Sequence, residues 1–508
     1  MFVPNQYHPA IFDWFKNPSG HAVIYGVAGC GKSSTMVEGG KLMALEQQRN
    51  CLVSSYTTST VADLKSKLQG GFDVRSINSY GFLALRNAFR DVRWDLENGK
   101  NKYRQMAREV AVPREYGEER VVRDALVSMV NFAQLTLTPL EVEPLTRMAK
   151  RFNIELPPTC PIDKLAEVVK DMLQRGIEQA QTGFISFSDQ AYVPIMLNLP
   201  LPRYQRIILD ECQDSSKLNM TLLMRGLAEG GIFGGAGDPN QAIFLFAGSE
   251  PDSFYQLKNH FSAEEFPLHL CYRCPTSVVK EAQEIVPEIQ ALPGAPEGKV
   301  AIITHETFIE TLTRGDMVIC RSTAPLMKLC FELIGRGIPA TVEGRDIGAK
   351  MSGTIKTIQK RNYDVKAFPR LAAEWLESGL EMLRGKLGTE AQQESMCDQY
   401  EALSLCYTIL RSNSVAQFCD GVYGMFDEGK SPIRLSTIHR VKGLQNPRVF
   451  IIRPEKMPLV WKGQSPAEFR QENNLLYVAI TRAQKELYYV TTPDDEQPQL
   501  PGMVRREQ

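Results

Sequence analysis

An α/β fold built on buried parallel strands is what this sequence predicts, and three observations predict it. Short apolar runs recur along the chain, longer helical patterns separate them, and the first run leads into a glycine-rich turn. Parallel strands are covered on both faces, so they read as continuous apolar runs rather than alternations. Joining them requires crossovers, which the intervening helices supply.

The first strand is expected at His21–Tyr25, before the turn Gly26–Gly31. Cys51–Ser55, Arg206–Leu209, Met317–Cys320, Ile433–Leu435, Val449–Ile452 and Leu487–Val490 read likewise. Gly39-Gly40 falls inside the helix after the turn, where each glycine costs about 1 kcal/mol against alanine. Close packing or an early helix end would explain the pair. Two stretches break the alternation: residues 89–180 are helical and charged, and residues 346–430 helical and polar. The expected division is a first α/β domain of residues 1–88 and 181–275 around the insertion 89–180. A second comprises residues 276–345 and 431–508 around the shorter insertion 346–430. Leu292–Gly298 reads as a loop near a junction and Pro493–Gln508 as a loose tail.

Composition narrows the function classes. The chain has 508 residues, 43% hydrophobic and 23% charged, with net charge -1. That suits several globular cores and excludes a disordered or fibrous protein. No apolar run approaches the roughly 18 residues of a membrane span. Met1–Gln6 lacks a basic, apolar leader, so a cytoplasmic protein is expected. Eleven scattered cysteines fit free thiols better than a disulfide framework. The one CxxC, Cys271-Tyr272-Arg273-Cys274, lacks further ligands at metal spacing. Near-zero net charge leaves nucleic acid open, because a basic groove can sit on a neutral protein.

Gly26-Val27-Ala28-Gly29-Cys30-Gly31-Lys32-Ser33 fits G-x-x-x-x-G-K-[ST] between a strand and a helix. Glycines let backbone N–H groups turn toward phosphates, and the helix adds its positive end. Gly26, Gly29, Gly31, Lys32, Ser33 and Ser34 are the expected phosphate contacts, with Lys32 at the β- and γ-phosphates and Ser33 on Mg2+. Ile207-Ile208-Leu209-Asp210-Glu211 supplies acids at a strand end. Asp210 fits the magnesium-holding role and Glu211 the base for the attacking water. A nucleoside triphosphate and Mg2+ are thus the expected substrate and cofactor.

Further words resemble the UvrD/Rep-like (superfamily 1A) DNA helicases. Motif II stands as Asp210-Glu211-Cys212-Gln213-Asp214 and motif III as Gly237 through Ser249. Motif IV resembles Leu270–Cys274, motif V Thr437–Gln445 and motif VI Leu476–Ala483. Shorter matches are Tyr56-Thr57 for motif Ia and Ser76–Gly81 for motif Ib. The words are collinear across nearly the whole chain. The CxxC falls inside motif IV and reads as incidental to it.

The resemblance implies two RecA-like P-loop NTPase domains with ATP between them, each carrying a mainly helical insertion. Gln241 is implied as the γ-phosphate sensor, and Arg273 and Arg482 as arginine fingers. A planar, permanently charged fork suits charge developing on a transferring phosphoryl group. Tyr272 is implied as the adenine-stacking ring, Gln6 as the adenine reader, and Gln445 as a residue near the nucleotide sugar. Tyr56, Thr57, Asn78, Phe244, Phe246, His439 and Lys442 are the implied nucleic-acid contacts, His439 and Lys442 facing DNA or the cleft. A lone Phe is more often core than platform; the motif position favours stacking for Phe246. Arg86–Arg108 holds seven Lys/Arg against three Asp/Glu, which suits a phosphate-contacting face or a solvated helix equally.

Three departures stand out: Ala247 where motif III usually has Arg, Gln445 where motif V ends in Glu, and Asn78 where motif Ib has His. The implied activity is an ATP-driven translocase moving 3′→5′ on single-stranded DNA and separating tailed duplex. A bacterial or phage-type, nucleoid-associated context goes with it. One alternative is a motor subunit working with a nuclease, as in Gabija-like anti-phage defence, or with a replication or repair partner. The other is a nucleic-acid-binding scaffold with an inactive ATPase.

Overall fold

Among the described residues, every strand pairing in the computed structural model is parallel. The structure describes residues 4–491 except 69, 90–91, 95–101, 117–118, 153, 155, 157–158, 360–363, 384–389, 428–432 and 463. The expected tail Pro493–Gln508 lies outside the described residues. The chain splits into one unit of Met1–Gly26 and Gly31–Leu268 and another of Val27–Cys30 and His269–Gln508.

In the first unit a sheet runs in the order Asp73–Ser76, Cys51–Ser55, Tyr204–Leu209, Leu227–Gly237, Ala22–Gly26, Glu264–Leu268. Ala22–Gly26 and Cys51–Ser55 are buried at every position, as strands covered on both faces must be. The register aligns Leu209 with Ser54 and Gly235, and Tyr25 with Gly237. The segments after these strands therefore leave the sheet along one edge. Ligands in parallel α/β sheets bind outside that carboxyl edge.

The helix after the glycine turn spans Lys32–Lys41 and contains both Gly39 and Gly40. A Cβ on Gly39 would lie 2.2 Å from the Phe15 ring, so close packing accounts for that glycine. The stretch after Phe89 folds into the helices Lys102–Glu109, Glu119–Thr136, Val142–Arg151 and Ile162–Gln181. A short pair, Arg93–Trp94 with Phe184–Ile185, flanks them. Inside this layer the Lys102 ammonium meets the Asp189 carboxylate at 2.7 Å, with side chains 1% and 0% exposed. Gly81 lets the helix Ile77–Ala88 approach the backbone at Gln190, whose carbonyl would lie 2.2 Å from a Cβ there.

The second unit has its own sheet, ordered Lys299–Thr304, Ala483–Thr491, Asn446–Ile452, Met317–Cys320, Arg434–Thr437, Thr341–Glu343, Phe426–Asp427. Met317–Cys320 at its centre is wholly buried. Phe308, Val318, Leu329, Leu435 and Phe450 join one continuous core with Phe368, Leu403 and Phe418 from the helical stretch. That stretch holds the helices Arg345–Gln359, Phe368–Leu383, Glu390–Leu410 and Val415–Gly424. The helix Pro466–Ile480 starts with a reciprocal cap, Ser465 accepting from the Glu468 N–H while Glu468 accepts from the Ser465 N–H. Among the described residues no helix is long and apolar enough to cross a membrane.

Candidate functional site

The strand Ala22–Gly26 ends where the glycine-rich turn begins, and Gly31, at φ 84°, caps the helix Lys32–Lys41 in a left-handed conformation. No side chain caps that helix, which leaves its N-terminal end available to an anion. Buried Lys32 turns back along the loop, its Nζ donating to the Gly26 carbonyl at 2.9 Å. Ser33 Oγ donates to Asp210 Oδ2 at 2.7 Å. Ser34 is exposed on the same helical turn. A hydroxyl and a carboxylate suit Mg2+, which takes oxygen ligands and uses few protein groups beside phosphate and water. No cluster of three or more His, Cys, Asp or Glu forms a metal site among the described residues.

Asp210 ends the strand Tyr204–Leu209 and is fully buried. Burial, with Glu211 beside it, pushes its carboxyl up to about 7, against the Ser33 hydrogen bond and the Lys32 charge. Glu211 sits at φ 56°, a left-handed backbone rare outside glycine and frequent at functional sites. Its carboxylate accepts from Gln213 Nε2, and Gln213 Oε1 accepts from the Asp238 N–H at 3.1 Å. Asp238 Oδ2 accepts from Gln241 Nε2 at 2.6 Å. A hydrogen-bonded line thus runs Glu211–Gln213–Asp238–Gln241. Sequence reasoning named its ends and missed Gln213 and Asp238, although both lie inside the quoted words.

The loop after Gln241 carries the aromatic residues. Phe246 is 55% exposed and Phe244 half-buried, their ring centroids 6.2 Å apart. Just beyond these rings, three residues bond back to the acid-bearing turn: Ser249 Oγ to the Asp214 carbonyl, the Glu250 N–H to the Ser215 carbonyl, and Ser253 Oγ to the Gln213 carbonyl. Tyr56 is half-buried with its hydroxyl donating to Ser215 Oγ. Thr57 caps the helix Thr58–Lys67 by accepting the Thr60 N–H at 3.1 Å. Asn78 Nδ2 donates to the Phe187 carbonyl at 3.2 Å, which places a 59% exposed ring beside motif Ib. Phe187 was not singled out from sequence; an isolated Phe outside any motif gives no signal.

Exposed Gln6 lies in the turn before the helix His8–Lys16. That turn is pinned to the P-loop helix by buried His8, whose Nδ1 accepts from the Asn5 N–H at 2.8 Å. With Nδ1 accepting, Nε2 carries the proton and donates to Thr35 Oγ1 at 3.1 Å. Burial lowers the His8 pKa, which keeps this neutral form.

In the second unit the Tyr272 N–H donates to the Gly29 carbonyl and the Ala28 N–H to the Tyr477 hydroxyl, both at 2.9 Å. The Tyr272 ring is 37% exposed. Arg273 Nη1 donates to the Thr481 carbonyl at 3.1 Å, while its Nε is buried without a hydrogen-bond partner. Arg482 is 1% exposed, its guanidinium donating to the Val478 and Leu444 carbonyls and to Thr481 Oγ1. Both arginines therefore converge on Thr481. His439 is held neutral, its pKa pushed down to about 3 by burial and then by the Arg321 charge. Arg321 in turn makes a two-pronged ion pair with buried Glu472 at 3.0 and 2.8 Å, unremarked from sequence. Lys442 is half-buried and Gln445 exposed in the turn around Gly443.

The UvrD/REP helicase N-terminal domain family matches residues 9–262 and the UvrD-like helicase C-terminal domain family residues 419–493. The ATP-dependent DNA helicase PcrA of Bacillus subtilis (strain 168) is 44% identical over 62 residues, 12% of this chain and 8% of PcrA. Among solved structures, the Arterivirus nonstructural protein 10 helicase is 12% identical with a TM-score of 0.35, covering 94% of this chain and 60% of that one. Its complex with DNA is 13% identical with a TM-score of 0.36, covering 96% and 63%. The chain thus spans under two thirds of each of these relatives.

Proposed function

This chain belongs to the UvrD/Rep helicase family, and we propose that it is an ATP-hydrolysing motor that moves 3′→5′ along single-stranded DNA and separates tailed duplex. The observation that carries this reading is the line Glu211–Gln213–Asp238–Gln241, which runs from the acids at the P-loop to the loop bearing Phe244 and Phe246. A scaffold would have no use for a strained acid bonded through to the start of a loop that exposes an aromatic ring.

The two parallel sheets are assigned as two RecA-like domains, with the stretches 89–180 and 346–430 as their helical insertions. Lys32 and the N–H groups of Gly29 and Gly31 hold phosphate. Mg2+, held by Ser33 and Asp210, would neutralise phosphate charge. Glu211 orients the attacking water and takes its proton. Arg273, with its unpaired Nε, and Arg482 stabilise charge on the transferring group. The Tyr272 face stacks the base; Gln6 and Gln445 contact base and sugar. Phe246, Phe244, Tyr56 and Phe187 offer stacking faces for DNA, each worth about 1–3 kcal/mol per base. Thr57, Asn78, Lys442 and neutral His439 supply polar contacts.

The test is ATP hydrolysis with and without single-stranded DNA, then strand separation on 3′- and 5′-tailed duplexes. DNA-stimulated hydrolysis and a 3′-tail preference are expected. A 5′ preference overturns the polarity, and stimulated hydrolysis without strand separation assigns a motor that needs a partner. Hydrolysis indifferent to DNA overturns the motor reading.

A further inference from the structure

The turn that carries Arg273 is bounded by two thiols in contact. Cys271 ends the strand Leu270–Cys271, and Cys274 lies just before the helix Thr276–Gln283. The Cys274 N–H donates to Cys271 Sγ at 3.3 Å, and the two side chains hydrogen-bond each other. Cys274 Sγ also lies 3.6 Å from the Thr481 carbonyl, the same oxygen that holds Arg273 Nη1, so its one proton is shared between that oxygen and Cys271. On its other side Cys271 packs on the P-loop: a Cβ on Gly29 would lie 2.9 Å from Cys271 Sγ and 2.7 Å from Arg273 Cβ. The hydrogen bond from Cys274, helped by the N–H groups of Cys274 and Arg273, holds the Cys271 thiol below its ordinary range, while Cys274 is pushed up. A nucleophilic sulfur beside a protonated one is the arrangement of reactive dithiols.

We propose that Cys271 and Cys274 form a reversible redox modification site, oxidised to a disulfide by hydrogen peroxide, and that the disulfide slows ATP turnover by displacing Arg273 and Gly29. The Cys271 thiolate attacks one peroxide oxygen, the O–O bond breaks, and the departing hydroxide takes a proton to leave as water. The resulting sulfenic acid has no room on the Gly29 side. Cys274 sulfur then attacks Cys271 sulfur, the S–O bond breaks, and a second water leaves with the Cys274 proton. Two thiols and one peroxide give one disulfide and two waters, each sulfur giving up one electron. The S–S bond draws the sulfurs to about 2.05 Å. It also removes the Cys274 hydrogen bond to Thr481, so the Tyr272–Arg273 turn must shift. Both sulfurs are buried, which restricts the reaction to small oxidants reaching them as the turn opens.

The test is a peroxide series on the full-length reduced protein, quenched, unfolded and alkylated. Trypsin cuts after Arg273, so the disulfide joins Asn259–Arg273 to Cys274–Lys280 in a non-reduced peptide map. That linked pair is expected, with loss of DNA-stimulated ATPase of about tenfold or more, since one misplaced donor costs about 10²–10³ in rate. Dithiothreitol should restore both. In Cys274→Ala the disulfide step has no second thiol, so peroxide should leave a dimedone-trappable sulfenic acid on Cys271 and no linked peptide pair. The ATPase arm rests on the motor reading, whereas the peptide map does not. Reduced protein without ATPase would fail that reading alone. Cys271 and Cys274 fully alkylated after peroxide, or a disulfide that involves Cys30, would overturn the site. A complete Cys271–Cys274 disulfide with unchanged ATPase would overturn the coupling.

Discussion

Asp189 links the stability of the first unit's helical layer to a candidate DNA surface, and its removal should damage both. Its carboxylate accepts from Lys102 Nζ at 2.7 Å, Tyr103 Oη at 2.8 Å and Gln134 Nε2 at 3.2 Å, all buried. It also accepts the Ser186 N–H at 2.8 Å, closing the turn that displays Phe187. In Asp189→Ala the Lys102 ammonium would keep only the Gly176 and Phe184 carbonyls. Breaking a buried pair from one side costs about 3–5 kcal/mol, because a buried charge loses its partner. At 1.4 kcal/mol per factor of ten, amides of Lys102–Glu109 and Ile162–Gln181 should exchange about 100- to 4,000-fold faster. Lys102→Met with Asp189→Leu removes both charges, and protection should recover in part, the Tyr103 hydroxyl and the Ser186 N–H still lacking their acceptor. The double variant still lacks the acceptor for Ser186, so its affinity for single-stranded DNA should stay low. Hydrogen exchange by mass spectrometry and fluorescence anisotropy with a labelled oligonucleotide read the two effects. Unchanged protection in Asp189→Ala, or a double variant as unprotected as the single, would refute the buried-charge argument.

The site itself sets three further outcomes. Glu211→Gln should bind nucleotide normally and nearly stop turnover; turnover within about threefold of the parent would sink the base assignment, given that general-base contributions run at about 10²–10⁴. Phe246→Ala should weaken binding to single-stranded DNA by about 5- to 150-fold, the equivalent of about 1–3 kcal/mol, with DNA-independent ATPase intact; equal affinity in a titration would remove Phe246 from the platform. His439, at about 3 when folded, binds fewer protons than in the unfolded chain, where it titrates near 6.5. Its neutral burial is therefore free above pH 6.5 and costs stability as pH falls from there toward 3, at most about 1.4 kcal/mol per unit. Denaturation at pH 7.5 and 5.5 should show a larger loss in the parent than in His439→Gln, and equal losses would reject the neutral ring.

Legibility in the sequence depends on which physical demands leave local marks. A buried parallel strand is apolar where both its faces are covered, so Ala22–Gly26, the Arg206–Leu209 part of Tyr204–Leu209 and Met317–Cys320 were readable as runs. The P-loop needs glycine at fixed spacing, and Gly31 at φ 84° shows why. Gly39 was ambiguous because its cause, the Phe15 ring, comes from a different helix. The buried Lys102–Asp189 pair left no mark either, since 87 residues separate its members. A charge among charges in a helical stretch looks like solvated surface until the fold encloses it. Phe187, His8 and Glu472 were missed for the same reason: each acts through a partner distant in sequence.

The connection between the acids and the aromatic loop needs no contact beyond the first unit. One route is polar, through Gln213 and Asp238 to Gln241. The other is along the backbone, where Ser249, Glu250 and Ser253 bond the carbonyls of Gln213, Asp214 and Ser215. Glu211 joins both routes and is held at a left-handed φ that costs of order 1–3 kcal/mol unless its surroundings impose it. Those surroundings are the same turn that the aromatic loop is bonded to. A displacement of the Phe246 loop of a few tenths of an ångström would loosen bonds of 2.7–3.0 Å on which the Glu211 conformation depends. Each such bond contributes about 1 kcal/mol, comparable with the strain it offsets. On the proposed reading, a base stacked on Phe246 would act on the acid through one turn and one loop.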